Sequence, residues 1–372
     1  MTNTWSCKEA THIQDVDANI TMQITLCVIS KAGFGQYIEW GDDGEVPEGH
    51  KLTFKQSLFT VSQNFPILIL VPKWAFGWNK HWAHVRDAYE EMRCSTSTLE
   101  RTASTPDLRS QAPEPSPRIT NPGVQVEEQH DLFNQLILAH DDSNSLSKEE
   151  LLGNVFLFLF GGYETTAHSL CFALGLLATH PEEQRKVFEQ IQELQKDHND
   201  FSYEDLPKYT NTLAVFYETL RLYPIGPELP RCAGSNATLT YTPHHAKEPA
   251  SLKIKDGTKV IINISGLHYN PAYWDDPNEF IPGRFLDPNW NRDAFLPFLG
   301  GPRACIGRRF AETTAVTVLV RLLSKYAVTV DESKFKFIEG ESMRDRRERF
   351  FNVSTKVTLT PGRIPLVFTP RR

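Results

Sequence analysis

The spacing of apolar residues along this 372-residue chain predicts a mainly helical protein. In most segments apolar side chains return after three or four positions, which places them on one face of a helix. We predict helices over residues 20–30, 79–92, 131–140, 147–180, 182–196, 211–223 and 306–326. The longest of these follows Ser147, which stands as an N-cap before Glu149 and Glu150. It extends to about residue 180, where Pro181 opens the next helix.

Short segments with the alternation typical of β-strands occur in the second half of the chain. They cover residues 239–241, 252–254 and 260–264. Asp256-Gly257 has the sequence of a hairpin turn between the last two. The tail alternates again over 353–359 and 366–368, which predicts a final hairpin. The predicted fold class is therefore mainly α with small β-sheets, in a single domain that shows no internal repeat.

Composition adds limits to this picture. Ser, Thr and five Pro crowd residues 101–126, which predicts a long surface loop. The net charge of −7 gives no indication of a nucleic-acid partner. Six cysteines without a C-x-x-C pair are too sparse for a disulfide scaffold, and this favours a reducing, intracellular compartment.

The sequence also bears on membrane association. The first residues are polar and show neither a signal peptide nor an apolar anchor. The most apolar stretch, residues 151–178, contains Asn154, Glu164 and His168. Ionisable residues in the middle of a span argue against a transmembrane helix. We therefore interpret this stretch as a long helix buried within the domain.

One motif near the C-terminal end indicates a specific chemistry. Phe298-Leu-Gly-Gly301-Pro-Arg303-Ala-Cys305-Ile-Gly307 places a cysteine between two glycines, just before a helix. Backbone N–H groups and the helix dipole favour a thiolate at this position. The glycines let the backbone approach a flat ligand, Arg303 can bind a carboxylate with both arms, and Phe298 can shield the sulfur. These are the requirements of a haem whose iron is bound by Cys305, and the alternative is a buried structural cysteine in a glycine-rich turn.

The long apolar helix carries a second motif, Gly161-Gly162-Tyr-Glu164-Thr165. Two adjacent glycines inside a helix cost roughly 1 kcal/mol each, so they require a reason. One is functional: an acid beside a hydroxyl can loosen the helix, open a groove and relay protons to bound dioxygen. The alternative is a glycine pair used for helix packing, with Thr165 bonded back to a carbonyl group.

A third set of residues predicts a buried charge cluster. Glu218-x-x-Arg221 places an acid and a base on one helical face, and Arg284 stands between Pro282 and Phe285 downstream. Glu218 with two arginines would form a structural cluster that holds the segment before Cys305. Arg231, just after the helix, is a candidate for a second carboxylate contact to the haem.

With these motifs in hand, the chain resembles the cytochrome P450 superfamily, and specifically its microsomal-type fungal members. The motifs occur in the family's order and at similar spacing, and residues 268–285 are similar to the segment before the family's cysteine loop. The resemblance covers the chain from about residue 20 to the end. It implies a cytochrome P450-like fold.

The resemblance also implies a role for each motif residue. Cys305 is the axial ligand of the haem iron, with Phe298, Gly301 and Gly307 around the cofactor. Arg303 and Arg231 hold the haem propionates. Glu164 and Thr165 handle protons at the oxygen site. The structural cluster consists of Glu218, Arg221 and Arg284.

The chain departs from the family pattern at its N-terminal end. Family members carry a membrane anchor, a first sheet and early helices with a W-x-x-x-R motif. Trp82-Ala-His-Val-Arg86 fits that motif but lies too close to the Glu164 helix, so we interpret it as a coincidence. We therefore expect an N-terminally truncated fold that binds haem substoichiometrically. A full-length relative is expected at the endoplasmic reticulum membrane, whereas this chain shows no anchor.

The resemblance implies a haem-thiolate monooxygenase. Such an enzyme inserts one oxygen atom of dioxygen into an apolar organic molecule, with electrons from NADPH through a reductase or a cytochrome b-type donor. Two alternatives stay open at this point. One keeps the haem but catalyses a peroxide-dependent, isomerase or dehydratase reaction, against which the Glu164-Thr165 pair argues. The other is a truncated, non-catalytic chain.

Overall fold

Helices form most of the computed structural model. It describes residues 9–34, 49–104, 146–196, 201–242 and 248–371, with the single positions 40, 46, 132 and 136. The α-helices in the described residues are α1 (Met22–Phe34), α2 (Phe54–Gln63), α3 (Phe65–Leu70), α4 (Lys80–Ser104), α5 (Lys148–Thr179), α6 (Pro181–Leu194), α7 (Thr210–Leu222), α8 (Ile264–His268), α9 (Arg308–Leu323) and α10 (Met343–Phe351). A π-helical turn, Asp17–Thr21, leads into α1.

The strands of the described residues are short. They are β1 (Thr11–Ile13), β2 (Glu228–Cys232), β3 (Thr238–Tyr241), β4 (Ala250–Lys253), β5 (Lys259–Asn263), β6 (Tyr326–Val330), β7 (Ser354–Thr355), β8 (Leu359–Thr360) and β9 (Leu366–Pro370). They form one three-stranded antiparallel sheet in the order β1-β9-β6 and the two-stranded pairs β2-β5, β3-β4 and β7-β8. The predicted class, mainly α with small β-sheets, is confirmed.

The long predicted helix is α5, and its start has the expected cap. The Ser147 hydroxyl accepts a hydrogen bond from the Glu150 amide at 3.3 Å. The Glu150 carboxylate in turn accepts one from the Ser147 amide at 2.7 Å. This reciprocal pair satisfies two backbone donors that a helix N-terminus otherwise leaves unbonded. The helix ends at Thr179, and Pro181 opens α6 as predicted.

The described residues divide into two compact units. The first contains residues 17–167, and the second contains residues 9–16 and 168–371. Helix α5 therefore begins in the first unit and ends in the second. In the first unit its core-facing side chains include Leu151 and Leu159, which are buried. In the second unit Phe172 stacks on Tyr223, with ring centres 4.4 Å apart and an interplanar angle of 2°.

The structure corrects several predicted elements. Asp256-Gly257 does form a turn, and Gly257 has a φ of +76°. The turn does not join hairpin partners, because β4 pairs with β3 and β5 pairs with β2. The final hairpin was also wrong in its partners: β7 pairs with β8, whereas β9 lies between β1 and β6. Alternation identifies a strand but contains no information on its partner.

The predicted surface loop begins later than the sequence indicated. Helix α4 continues to Ser104, so the first four residues of the segment 101–126 are helical. The sequence contains no glycine or proline from Lys80 to the residue before Pro106, so it has no helix breaker in this stretch. Residues 105–126 lie outside the described residues, as does most of the predicted helix 131–140, whose positions 132 and 136 are helical.

Across the residues that the structure describes, none of the helices has the length and apolar character needed to cross a membrane. Helix α5 has sufficient length, at 32 residues, but it contains Glu164 and His168, both of which are buried.

Candidate functional site

The loop that carries Cys305 is shaped by its backbone. Leu299 and Gly301 have φ angles of +59° and +68°, in the left-handed region that turns the chain sharply. The Cys305 amide donates a hydrogen bond to the Phe298 carbonyl at 2.8 Å, which closes the loop. Helix α9 begins three residues later, with Gly307 as its N-cap. The thiol therefore lies at the positive end of a 16-residue helix.

The open side of this loop fits a flat ligand. Residues 300–306 are all exposed, and the Ile306 side chain is 86% exposed. A Cβ atom built on Gly300 or Gly301 would meet no atom within 4 Å, so the space beside both glycines is open. Cys305 is exposed as well, whereas the alternative of a structural cysteine requires a buried thiol. A thiol donor beside open glycines is a suitable donor set for haem.

The two arginines predicted to hold propionates lie on separate elements. Arg303 ends the short 3-10 turn Gly301–Arg303, two residues before Cys305, and is exposed. Arg231 lies in β2 opposite Val260 and is also exposed. Its Nη1 atom donates a hydrogen bond to the Pro230 carbonyl at 3.0 Å. Both guanidinium groups are accessible to an anionic ligand, and their assignment to propionates stays a prediction.

The structure places Glu218, Arg221 and Arg284 in one cluster. Glu218 and Arg221 are both fully buried. The Arg221 Nε and Nη2 atoms donate to the two Glu218 carboxylate oxygens at 2.7 and 2.8 Å. Arg284 Nε donates to the same carboxylate at 3.2 Å. The Glu218 carboxylate therefore pairs with two arginines, and it also accepts a hydrogen bond from the Ile281 amide at 2.9 Å.

Arg221 extends this cluster into the segment before Cys305. It donates to the carbonyl groups of His268, Pro277 and Glu279 at 2.9, 2.8 and 3.0 Å. With its two bonds to Glu218, all five donors of the guanidinium are used. The guanidinium carbon also lies 5.4 Å from the centre of the Trp274 ring. One buried side chain therefore fixes three carbonyl groups of an irregular segment.

His268 is a second support that sequence reasoning did not assign. The ring is fully buried, and Nδ1 donates to the Arg221 carbonyl at 3.1 Å. Nε2 accepts a hydrogen bond from the Leu296 amide at 3.0 Å, two residues before Phe298. This pattern requires the neutral ring, and burial lowers the pKa of His268 to about 4. Both partners are backbone atoms, so no sequence motif indicated them.

Glu164 and Thr165 lie on α5 within the first unit. The helix is continuous through them, so the predicted loosening at the glycine pair is not seen. Glu164 is buried, and the Thr165 hydroxyl donates to the Gly161 carbonyl at 2.8 Å. The two glycines differ in environment. A Cβ on Gly162 would lie 2.9 Å from Ile29 in α1, whereas a Cβ on Gly161 would meet nothing within 4 Å.

The W-x-x-x-R match lies at the start of α4. Arg86 donates to the carboxylate of its neighbour Asp87 at 2.9 Å and is partly exposed. This local pair is a surface contact typical of a helix in water.

The chain matches a known protein family over most of its length. The profile described as "Cytochrome P450" matches residues 8–350. The chain belongs to the cytochrome P450 family. A relative from Postia placenta, "Cytochrome P450 monooxygenase 124", is 37% identical over 99% of this chain and 68% of its own length. "Cytochrome P450 monooxygenase ORF6" from Penicillium roqueforti is 25% identical over 88% of this chain and 60% of its own length.

A solved structure supports the same fold. The "Crystal structure of cytochrome P450DA heme domain" matches with a TM-score of 0.71 and 23% identity, over 100% of this chain and 71% of the other. The chain thus spans about two thirds of the length of these proteins. Membership of the family and the fold imply a haem-thiolate cofactor, a redox partner and a small-molecule substrate. Cys305 is the exposed cysteine in the motif that the resemblance identified.

Proposed function

We propose that Cys305 binds haem b through its thiolate and that the protein inserts one atom of dioxygen into an apolar organic molecule. The observation that supports this most strongly is the exposed Cys305 thiol on a glycine-containing loop at the start of α9, in a chain of the cytochrome P450 family. We further propose that residues 1–372 act as one catalytic domain, because the family profile matches residues 8–350.

The chain's own residues have distinct tasks in this proposal. Haem, when bound, supplies the dioxygen chemistry. Cys305 holds the iron, and Gly301 leaves room for the flat ring system. Arg303 and Arg231 would pair with the two propionates as charge-assisted hydrogen-bond donors. Gly307 lies next to the sulfur, and Phe298 would shield it.

Proton handling falls to Glu164 and Thr165. The Thr165 hydroxyl is held by the Gly161 carbonyl at 2.8 Å, which fixes its oxygen on the helix surface. Its oxygen can then accept a hydrogen bond, and the hydroxyl can donate elsewhere when it leaves that carbonyl. Gly161 adds no side chain to the adjacent surface, so a small ligand can approach the helix there. Glu164, one residue earlier, would supply the proton that replaces the one given up by the Thr165 hydroxyl.

Membership of the cytochrome P450 family implies a redox partner that supplies the electrons. We propose NADPH as the source, delivered through a cytochrome reductase or a cytochrome b-type donor. Each turnover consumes two electrons, and dioxygen supplies one atom to the product and one to water. Reconstitution with each donor, with NADPH consumption and product measured together, distinguishes the two partners.

We propose an intracellular location at the endoplasmic reticulum membrane. An exposed apolar surface supports this: Ile69, Leu70, Trp74 and Trp78 are 66–77% exposed within one short segment, next to the exposed Lys73. Tryptophan with flanking lysine is typical of a protein surface at a lipid headgroup layer. Sedimentation with anionic vesicles tests whether this surface contacts lipid. A Trp74→Ser, Trp78→Ser double variant should then bind the vesicles less than the wild type does.

The absorption spectrum of the reduced protein with carbon monoxide tests the haem assignment. We expect a red-shifted Soret band that is characteristic of a thiolate ligand. Cys305→Ser should abolish this band, because serine oxygen is a poor ligand for this form of the iron. Cys232→Ser is the matched control, since Cys232 is also an exposed thiol. A Cys305→Ser protein that keeps the band would refute the assignment.

A second candidate function has one observation in its favour. The Thr165 hydroxyl is bonded back to the Gly161 carbonyl, and a peroxide-dependent or isomerase-type reaction needs no proton delivery to dioxygen. Thr165→Ala separates the two. In a monooxygenase, the Thr165→Ala variant should keep haem binding but consume electrons to form hydrogen peroxide in place of product. In an enzyme of the second type, the variant should react with peroxide or substrate as the wild type does. Electron consumption per product is therefore the deciding measurement.

A further inference from the structure

A closed network of three side chains lies beside the Cys305 loop. Arg308, in the first turn of α9, donates from Nε to the Glu312 carboxylate at 2.8 Å. Its Nη2 atom donates to the Tyr217 hydroxyl at 3.2 Å, and that hydroxyl donates to Glu312 at 2.6 Å. Two helices, α7 and α9, thus fix a guanidinium whose side chain is half exposed. An exposed arginine without such partners would be free to sample many rotamers.

The fixed guanidinium lies against Phe298. Its central carbon is 5.4 Å from the centre of the Phe298 ring and 6.0 Å from that of Tyr217. Both distances are within the range of cation–π attraction. Phe298 begins the loop, and its carbonyl accepts the Cys305 amide hydrogen bond at 2.8 Å. The Arg308 amide also donates to the Cys305 carbonyl at 3.4 Å. Arg308 therefore contacts the two ends of the loop 298–305.

We propose that Arg308 is a positioning residue for Cys305. Its guanidinium, oriented by Tyr217 and Glu312, holds the Phe298 ring and so keeps the Phe298 carbonyl where the Cys305 amide can bond to it. The identification of Cys305 as the haem ligand rests on the proposed function. The contacts of Arg308, by contrast, are made by the chain alone, and their effect on the loop can be measured without haem.

Hydrogen exchange of the purified 372-residue chain without haem gives the first measurement. Peptides that contain residues 298–305 should exchange about two- to five-fold faster in Arg308→Gln, from the loss of one exposed cation–π contact. Arg309→Gln is the matched control, because it removes the same charge from the next, exposed position of α9. Tyr217→Phe keeps the ring but removes the hydroxyl, and should fall between the two. Equal exchange in Arg308→Gln and Arg309→Gln would overturn the proposal.

The haem-loaded protein gives the second measurement. After mild heating, the reduced carbon monoxide complex of Arg308→Gln should lose its red-shifted band several-fold faster than Arg309→Gln does. Arg308→Lys keeps the cation and should recover part of the difference. A merely structural role would lower the melting temperature in parallel, whereas a positioning role leaves it close to that of Arg309→Gln. If residues 298–305 exchanged faster in Arg308→Gln but the red-shifted band was lost no faster than in Arg309→Gln, the proposal that Arg308 positions the Cys305 ligand would be refuted. Absence of the band in the wild-type chain would refute the proposed function, and the exchange comparison would still decide the role of Arg308 in the loop.

Discussion

Replacement of Arg221 by lysine measures how much the buried charge cluster stabilises the second unit. Lysine keeps the positive charge but has three donors on one nitrogen atom, whereas the guanidinium of Arg221 uses five donors. A single ammonium group cannot reach the Glu218 carboxylate and carbonyl groups on both sides of it at once. At least two of the five hydrogen bonds are therefore lost.

The magnitude follows from burial. Hydrogen bonds to charged groups contribute about 1.5–3 kcal/mol each, so the loss of two predicts about 3–6 kcal/mol. Glu218 has no exposed surface, and water cannot replace the lost donors. Breaking a buried ion pair has a typical cost of about 3–5 kcal/mol, which agrees with this figure. Arg284 moderates the effect because it retains its own bond to Glu218.

The assay is native-state hydrogen exchange of peptides from α7, which reports the free energy of opening in this region. Arg344→Lys is the matched control. Arg344 and Glu348 form a similar ion pair at 2.8 Å, but both side chains are 61% exposed, so the same substitution should change stability by about 0.5 kcal/mol or less. An opening free energy for Arg221→Lys within about 1 kcal/mol of the wild type would refute the burial argument.

The remaining predictions use glycine packing and the buried histidine. Gly175→Ala should destabilise the protein by about 1–3 kcal/mol, because the added methyl group would lie 2.6 Å from the Phe351 ring. Gly161→Ala, in the same helix, meets nothing within 4 Å and should stabilise by about 0.5–1 kcal/mol; thermal unfolding of both variants checks the contrast. Burial lowers the pKa of His268 to about 4, against about 6.5 in an unfolded chain. As the pH falls from about 6.5 to 4, His268 becomes protonated in the unfolded chain but stays neutral in most of the folded protein. The free energy of unfolding should therefore fall by about 3 kcal/mol. His268→Gln should reduce this pH dependence in denaturation curves measured at several pH values.

Helices were predictable because their signal is local. The return of an apolar residue after every three or four positions can be recognised in a short stretch of sequence. Helices α5, α6 and α7 accordingly begin and end within three residues of their predicted bounds. The sheet β1-β9-β6 is different. It pairs Thr11 with Phe368, and a strand of three residues has too few positions for a periodic signal. Its formation depends on long-range packing that no local window contains.

The candidate site divides along the same line. Cys305 and the E-x-x-R pair could be proposed from the sequence because their own side chains carry the chemistry at fixed spacing. His268 was not assigned a role, since its ring bonds a backbone carbonyl and a backbone amide. Backbone partners cannot be identified from residue types. Arg308 was missed for a related reason. Its partners, at positions 217, 298 and 312, come from three separate elements, and only folding shows that they meet.

These contacts converge on a single 13-residue helix, α7. From position 221 it fixes the segment before the loop, because the Arg221 carbonyl orients His268, which in turn accepts the Leu296 amide. From position 217 it fixes the segment after the loop, through Tyr217 and Arg308. The Cys305 loop is thus supported on both flanks from one rigid element, although its own residues 300–306 are exposed. The first support includes the fully buried Arg221, whereas the second depends on the half-exposed Arg308. Substitutions at Arg221 should therefore mainly lower the stability of the unit, and substitutions at Arg308 should mainly change the position of the thiol.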